Sequence, residues 1–141
     1  MASNVEQEPI HCACLCGAVR LEIVPPLRFC AHCHCSMCRR AHGAAFVTWF
    51  GVLADQFRIT EGEAQLARHA SSPEATRSFC RVCGSTMLFT SSRWAGEVHV
   101  ALACVDGPID RAPQAHVFDD ARVGWLAGFD ALPRRPAPAG E

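Results

Sequence analysis

The chain has 141 residues, half of them hydrophobic and 19% charged, with a formal net charge of −1. That length fits one domain with a core of its own, so a bound metal would supplement apolar burial rather than replace it. The near-neutral charge excludes the basic excess that nucleic acid or an anionic membrane surface calls for, and no run approaches the roughly 20 apolar residues of a membrane span.

In chain order, residues 1–9 are polar and read as a flexible leader lacking the basic and apolar stretches of a secretory signal. The ten cysteines are therefore placed in a reducing, cytoplasmic setting, where such density signals metal binding before disulfides. Cys14-Leu15-Cys16-Gly17 opens the ordered part, which is expected to be one zinc-binding domain over 10–133. Residues 18–24 alternate apolar and polar as a strand that Pro25-Pro26 stops. Residues 29–40 concentrate four cysteines and two histidines, and Ser36 is expected to cap one helical turn that ends at Gly43. Residues 45–52 form an apolar run too short for a long helix, and 57–60, 64–69, 75–79, 87–90 and 97–104 follow as strands of a meander, with turn residues between them. Asp119-Asp120 can open a short turn through Trp125, and 134–141 reads as a flexible tail. The fold class is mainly β: small antiparallel sheets with cysteines in the turns.

Two cysteine pairs share a local pattern, Cys14-x-Cys16-Gly17 and Cys80-x-x-Cys83-Gly84. Each supplies half of a tetrahedral four-thiolate zinc site, so the halves are expected to meet across the fold. The glycine after each pair suits a backbone that needs positive φ, and its amide could point at a sulfur. The bland alternative is buried free thiols.

Cys33, Cys35 and Cys38 form a second constellation. Cys33 and Cys35 share a face of an extended segment, and Cys38 can reach back from the following turn. Three thiolates with a fourth position open mark a reactive zinc. The cluster would carry about one negative charge, which disfavours a zinc-bound hydroxide and suits an incoming thiol. Cys30, His32, His34, Cys12 or Cys104 could instead fill the fourth position. Cys30 and Cys104 read as core residues, and His34 alternates away from its neighbours. Arg39 could neutralise the cluster or hold a substrate carboxylate. His69 and His99 read as sheet residues, and Trp49, Phe50, Phe89 and Trp125 as core.

The succession Cys14-x-Cys16-Gly17-x-Val19, Cys33-His34-Cys35-x-x-Cys38-Arg39-Arg40-x-x-Gly43, Ser78-Phe79-Cys80-x-x-Cys83-Gly84-Ser85 resembles the glutathione-dependent formaldehyde-activating enzyme and centromere protein V family. The likeness continues through Pro113-Gln114-Ala115-His116 to Trp125-Leu126. It implies an Mss4-like β-tent of small antiparallel sheets and two zinc ions per chain. One would be structural, on Cys14, Cys16, Cys80 and Cys83, and the second on Cys33, Cys35 and Cys38. It further implies carbon–sulfur lyase chemistry in which a small thiol such as glutathione meets a small aldehyde, giving an adduct of the S-hydroxymethylglutathione type. Cys33, Cys35 and Cys38 would be the catalytic cysteines, and Arg39 is the candidate donor to the aldehyde oxygen. Two other readings remain beside it: a non-catalytic zinc module for a protein partner, and a thiol-based redox or metal sensor.

Overall fold

The structure, a computed structural model, describes residues 8–140. Most of the expected leader lies outside the described residues. Of the expected tail, residues 134–140 are exposed and carry no strand or helix.

Eleven strands, one short α-helix and seven single 3-10 turns make up the regular structure of the described residues. The strands are β1 (Ile10–Ala13), β2 (Arg20–Ile23), β3 (Phe29–Cys33), β4 (Val47–Leu53), β5 (Phe57–Glu61), β6 (Leu66–Ala70), β7 (Ala75–Cys80), β8 (Thr86–Ser91), β9 (Glu97–Ala101), β10 (Val105–Asp106) and β11 (Ala115–Val117). The helix α1 spans Ser36–His42 between β3 and β4. A four-stranded sheet has the order β10-β1-β2-β5, and a seven-stranded sheet the order β11-β3-β4-β9-β8-β7-β6. No helix among the described residues is long and apolar enough to cross a membrane.

The mainly-β expectation holds, but the path is not a single meander. β5 leaves to pair with β2 in the smaller sheet, and β9 returns to lie between β4 and β8. β1, β10 and β11 escape a periodicity reading because they are two to four residues long, shorter than the window in which alternation is visible. β11 pairs with β3 in parallel, the one exception to antiparallel pairing among the described strands.

Alternation along the strands sorts the side chains. Phe50 and Val52 of β4 and Val98 and Val100 of β9 turn towards the smaller sheet, where they pack with Leu21, Ile23, Leu27 and Met87 in the main core. Their neighbours Val47, Trp49 and Ala101 turn the other way, into a second apolar cluster with Cys33 and Cys38. On that second face the registers align Phe29, Gly51, His99, Phe89 and Arg77 in one row across five strands. Gly51 is required in the row. A Cβ there would lie 2.1 Å from the Phe29 ring, well inside van der Waals contact.

Trp125 corrects the core reading. It sits on a surface turn beyond β11 and is 72% exposed. Phe50 and Trp49 are buried as expected. His69 is exposed on β6.

Candidate metal centres

The first cluster is built by two hairpin turns, one from each sheet. The β1–β2 connection carries Cys14 and Cys16, and the β7–β8 turn carries Cys80 and Cys83. Gly17 and Gly84 both have positive φ, 80° and 82°, which glycine reaches without a Cβ clash. Their amides do not reach sulfur. They close the turns on the carbonyls of Cys14 and Cys80, at 3.1 and 2.7 Å. Other amides serve the sulfurs, among them that of Val19, 3.2 Å from Cys14 Sγ.

The sulfurs fit a metal and not a cystine. Cys14 Sγ lies 3.6 Å from Cys16 Sγ, and Cys16 Sγ lies 3.8 Å from Cys80 Sγ. All four sulfurs fall within 4.8 Å of one another. A tetrahedron with metal–sulfur bonds of about 2.3 Å has edges of about 3.8 Å, whereas a disulfide needs about 2.05 Å. None of the ten cysteines is in a disulfide. A hydrogen bond with the Ser85 hydroxyl, at 3.2 Å, holds the Cys83 thiol down to about 5. These four residues could hold a metal ion, and their donor set suits zinc.

The second cluster forms where β3 runs into α1. Cys33 ends the strand, Cys35 precedes the helix and Cys38 lies in its first turn. Cys35, not Ser36, is the N-cap: its backbone is extended, and its Sγ accepts from the Cys38 amide at 3.2 Å. Sulfur thereby does the work of the usual hydroxyl or carboxylate cap. The three sulfurs lie within 4.8 Å of one another, and no fourth Cys, His, Asp or Glu atom among the described residues joins them.

Two donors converge on Cys38. The Trp49 indole N–H lies 3.4 Å from its Sγ, and the Arg77 Nη1 and Nη2 atoms lie at 3.6 and 3.7 Å. The hydrogen bond with Cys33, then those with Cys35 and Trp49 and the charge of Arg77, pull the Cys38 thiol down to about 5 against its burial. The proton shared with Cys38, together with burial, pushes Cys33 up. Cys38 is the thiolate of the trio, and a cation bound there would displace the remaining protons. The positive charge expected beside the cluster comes from Arg77 on β7. Arg39 instead donates its Nε–H to the His34 carbonyl at 3.4 Å.

The cysteines outside the clusters are neutral. Burial pushes Cys12 up to about 12 and Cys104 up to about 11, and it also raises Cys30. His34 points away from the trio, as its alternation suggests. Its Nε2 lies 2.9 Å from His116 Nδ1, and Asp119 nearby is held by Arg122 at 2.9 Å. His34, His116 and Asp119 form a third group of potential metal donors.

The open side of Cys33, Cys35 and Cys38 faces a cavity of about 620 Å³. Its walls include Phe29, Trp49, Arg77, Phe89, Trp94 and His99. The His99 Nε2 lies 3.3 Å from Glu97, and burial keeps the imidazole below its ordinary pKa. Reading the sequence did not bring out Arg77 or Trp94 as site residues. An arginine in mid-strand, two residues from apolar Ala75 on one side and Phe79 on the other, is the available signal for Arg77; Trp94, in a short turn, carries none.

Comparison with known proteins identifies the family. The family model described as glutathione-dependent formaldehyde-activating enzyme matches residues 9–121. A Halomonas elongata protein provisionally named as a glutathione-dependent formaldehyde-activating enzyme is 28% identical over 121 residues, covering 81% of this chain and 77% of its own. An uncharacterised lyase of Schizosaccharomyces pombe is 32% identical over 76 residues, covering 54% of this chain and 53% of its own. A crystal structure of a Rhodobacter sphaeroides protein superposes with a TM-score of 0.62 at 25% identity, over 76% of this chain and 99% of that one. With a match that runs through both cysteine clusters, the chain belongs to the glutathione-dependent formaldehyde-activating enzyme family.

Proposed function

We propose that this protein is a zinc-dependent carbon–sulfur lyase that makes and breaks the adduct of a thiol with a small aldehyde, in one domain spanning 10–133. The observation that carries the reading is the convergence of three sulfurs, Cys33, Cys35 and Cys38, on the wall of a cavity, with no fourth Cys, His, Asp or Glu ligand beside them among the described residues. The structural zinc of this reading sits on Cys14, Cys16, Cys80 and Cys83. A zinc held by Cys33, Cys35 and Cys38 supplies a soft acceptor that keeps an incoming thiol deprotonated at neutral pH.

The chain's own residues do the rest. Trp49 and Arg77 donate to Cys38 Sγ and favour its thiolate, and Phe29, Phe89 and Trp94 give the cavity largely apolar walls. In the forward direction the thiol sulfur attacks the carbonyl carbon, one C–S bond forms, and the thiol proton ends on the former carbonyl oxygen. Cleavage reverses each change, so no further reactant is consumed. The oxygen gains negative charge on the way and needs a donor. The Arg77 Nε–H is buried and has no partner among the described residues, on a side chain that lines the cavity. It suits that task better than Arg39, whose Nε–H is engaged with a backbone carbonyl.

The test mixes zinc-loaded protein with formaldehyde and a thiol, either glutathione or benzyl mercaptan, and follows adduct exchange by NMR. The wild type accelerates exchange with at least one thiol, and Cys35→Ser does not. Equal rates for the two proteins with both thiols end this reading.

A further inference from the structure

The histidines interleaved with the cysteine trio assemble a group of their own. His32 and His34 alternate with Cys33 and Cys35, so they project from the opposite face of the same segment. β11 lies parallel to β3 and sets His116 beside His32. Phe118, at a φ of 52°, then turns the chain, and Asp119 comes back towards the imidazoles. His116 and Asp119 are exposed, which leaves the group open to solvent on one side.

The spacing is that of a ligand set. His34 Nε2 lies 2.9 Å from His116 Nδ1 and 4.0 Å from Asp119 Oδ1, and a donor atom of each residue falls within 4.8 Å of the others. Two nitrogens bound to one cation at about 2.1 Å are about 3.0 Å apart at a right angle and about 3.4 Å apart in a tetrahedron. The observed spacing fits the right angle of a six-coordinate ion. Two histidines and a carboxylate on one side of such an ion leave its other side to water or a ligand. Arg122 donates to Asp119 Oδ1 at 2.9 Å, which orients the carboxylate as an outer partner does and leaves Oδ2 for the ion. The His34 side chain is fully buried, and its Nδ1 has no partner among the described residues. The one hydrogen bond of that ring is therefore the contact with His116 that a cation would replace. His32 packs beside the group, with its Nδ1 taken by the Thr48 hydroxyl at 2.7 Å.

We infer that His34, His116 and Asp119 form a third metal site, for a six-coordinate first-row divalent cation, on the face of this segment turned away from the cysteine trio. Imidazole and carboxylate donors suit ions such as iron(II) or nickel(II), whereas the two thiolate clusters suit zinc. The site is independent of the thiol–aldehyde chemistry and does not draw on it.

Calorimetric titration of nickel(II) into protein already loaded with zinc at its thiolate clusters tests the assignment, with released zinc measured alongside. The wild type takes up one further equivalent with a Kd of about 10 μM or tighter and releases no zinc. His116→Ala and Asp119→Asn each weaken that binding at least tenfold. Both residues are exposed, and thermal melts of the two variants confirm that their folds are intact. His69→Ala, which removes an exposed imidazole on β6, leaves nickel binding unchanged. Lack of a saturable equivalent in the wild type overturns the inference. So does nickel uptake that expels zinc, because the ion then sits on sulfur, and so does uptake that keeps its full strength in His116→Ala. Each of these failures leaves the adduct-exchange test of the cysteine trio untouched.

Discussion

At the scale of single residues, the proposed chemistry turns on Cys38 and Arg77. A buried thiolate needs compensation, and it receives an indole N–H from Trp49 and two guanidinium N–H groups, with their charge, from Arg77. Arg77→Lys keeps the charge but loses the planar fork, and Arg77→Met loses both. The expected outcome is that Arg77→Met lowers adduct exchange by about 100-fold, while Arg77→Lys falls in between. Stopped exchange NMR at fixed thiol reads both, and an unchanged rate in Arg77→Met removes Arg77 from the mechanism. The cysteines themselves are legible in the sequence, because chelation by tight turns imposes a spacing of one or two residues, with a following glycine at Cys16 and Cys83. Arg77 is not, because its place depends on a register running through four hydrogen-bonded strands, from β4 to β7. Arg39 drew attention only by adjacency, and its side chain turns back to the His34 carbonyl.

At the scale of elements, the two clusters have different mechanical consequences. Cys33, Cys35 and Cys38 lie within one strand-to-helix corner, which α1 and its Gly43 cap already shape. Cys14 and Cys16 belong to a hairpin of one sheet, and Cys80 and Cys83 to a hairpin of the other. Binding at the four-thiolate site therefore ties the sheets together. Cys80→Ser should lower the thermal midpoint of the zinc-loaded protein by about 10 °C or more. Cys35→Ser should lower it by less than half as much. Calorimetric melts of the two variants check the order, and the reverse order would contradict the assignment of the structural site. The longer strands were readable from alternation and turn residues. The pairing was not. β5 and β9 obey the same pattern, and only packing of the finished core decides which sheet each joins. The parallel β11–β3 contact also follows from the closed fold rather than from any local preference of three exposed residues.

At the scale of the whole molecule, buried imidazoles couple stability to pH. Burial holds His32, His34, His42 and His99 below the ordinary histidine pKa of about 6.5. Above that value both folded and unfolded chains keep these rings neutral, and stability is complete. As pH falls below it, the unfolded chain takes up protons that the folded chain resists, so stability drops, by at most about 1.4 kcal/mol per histidine and pH unit. The thermal midpoint should fall from pH 7 to pH 5, and His99→Gln should flatten that decline; an identical slope in the variant would exclude His99 as a contributor. The placement of thiols along the chain also sets an order of assembly. Cys33, Cys35 and Cys38 leave the ribosome almost together, so their corner can capture a cation early. Cys16 precedes its partner Cys80 by 64 positions, a wait of roughly 3 to 13 s at ordinary elongation rates. Until then the N-terminal hairpin carries two thiols whose partners have not yet been made.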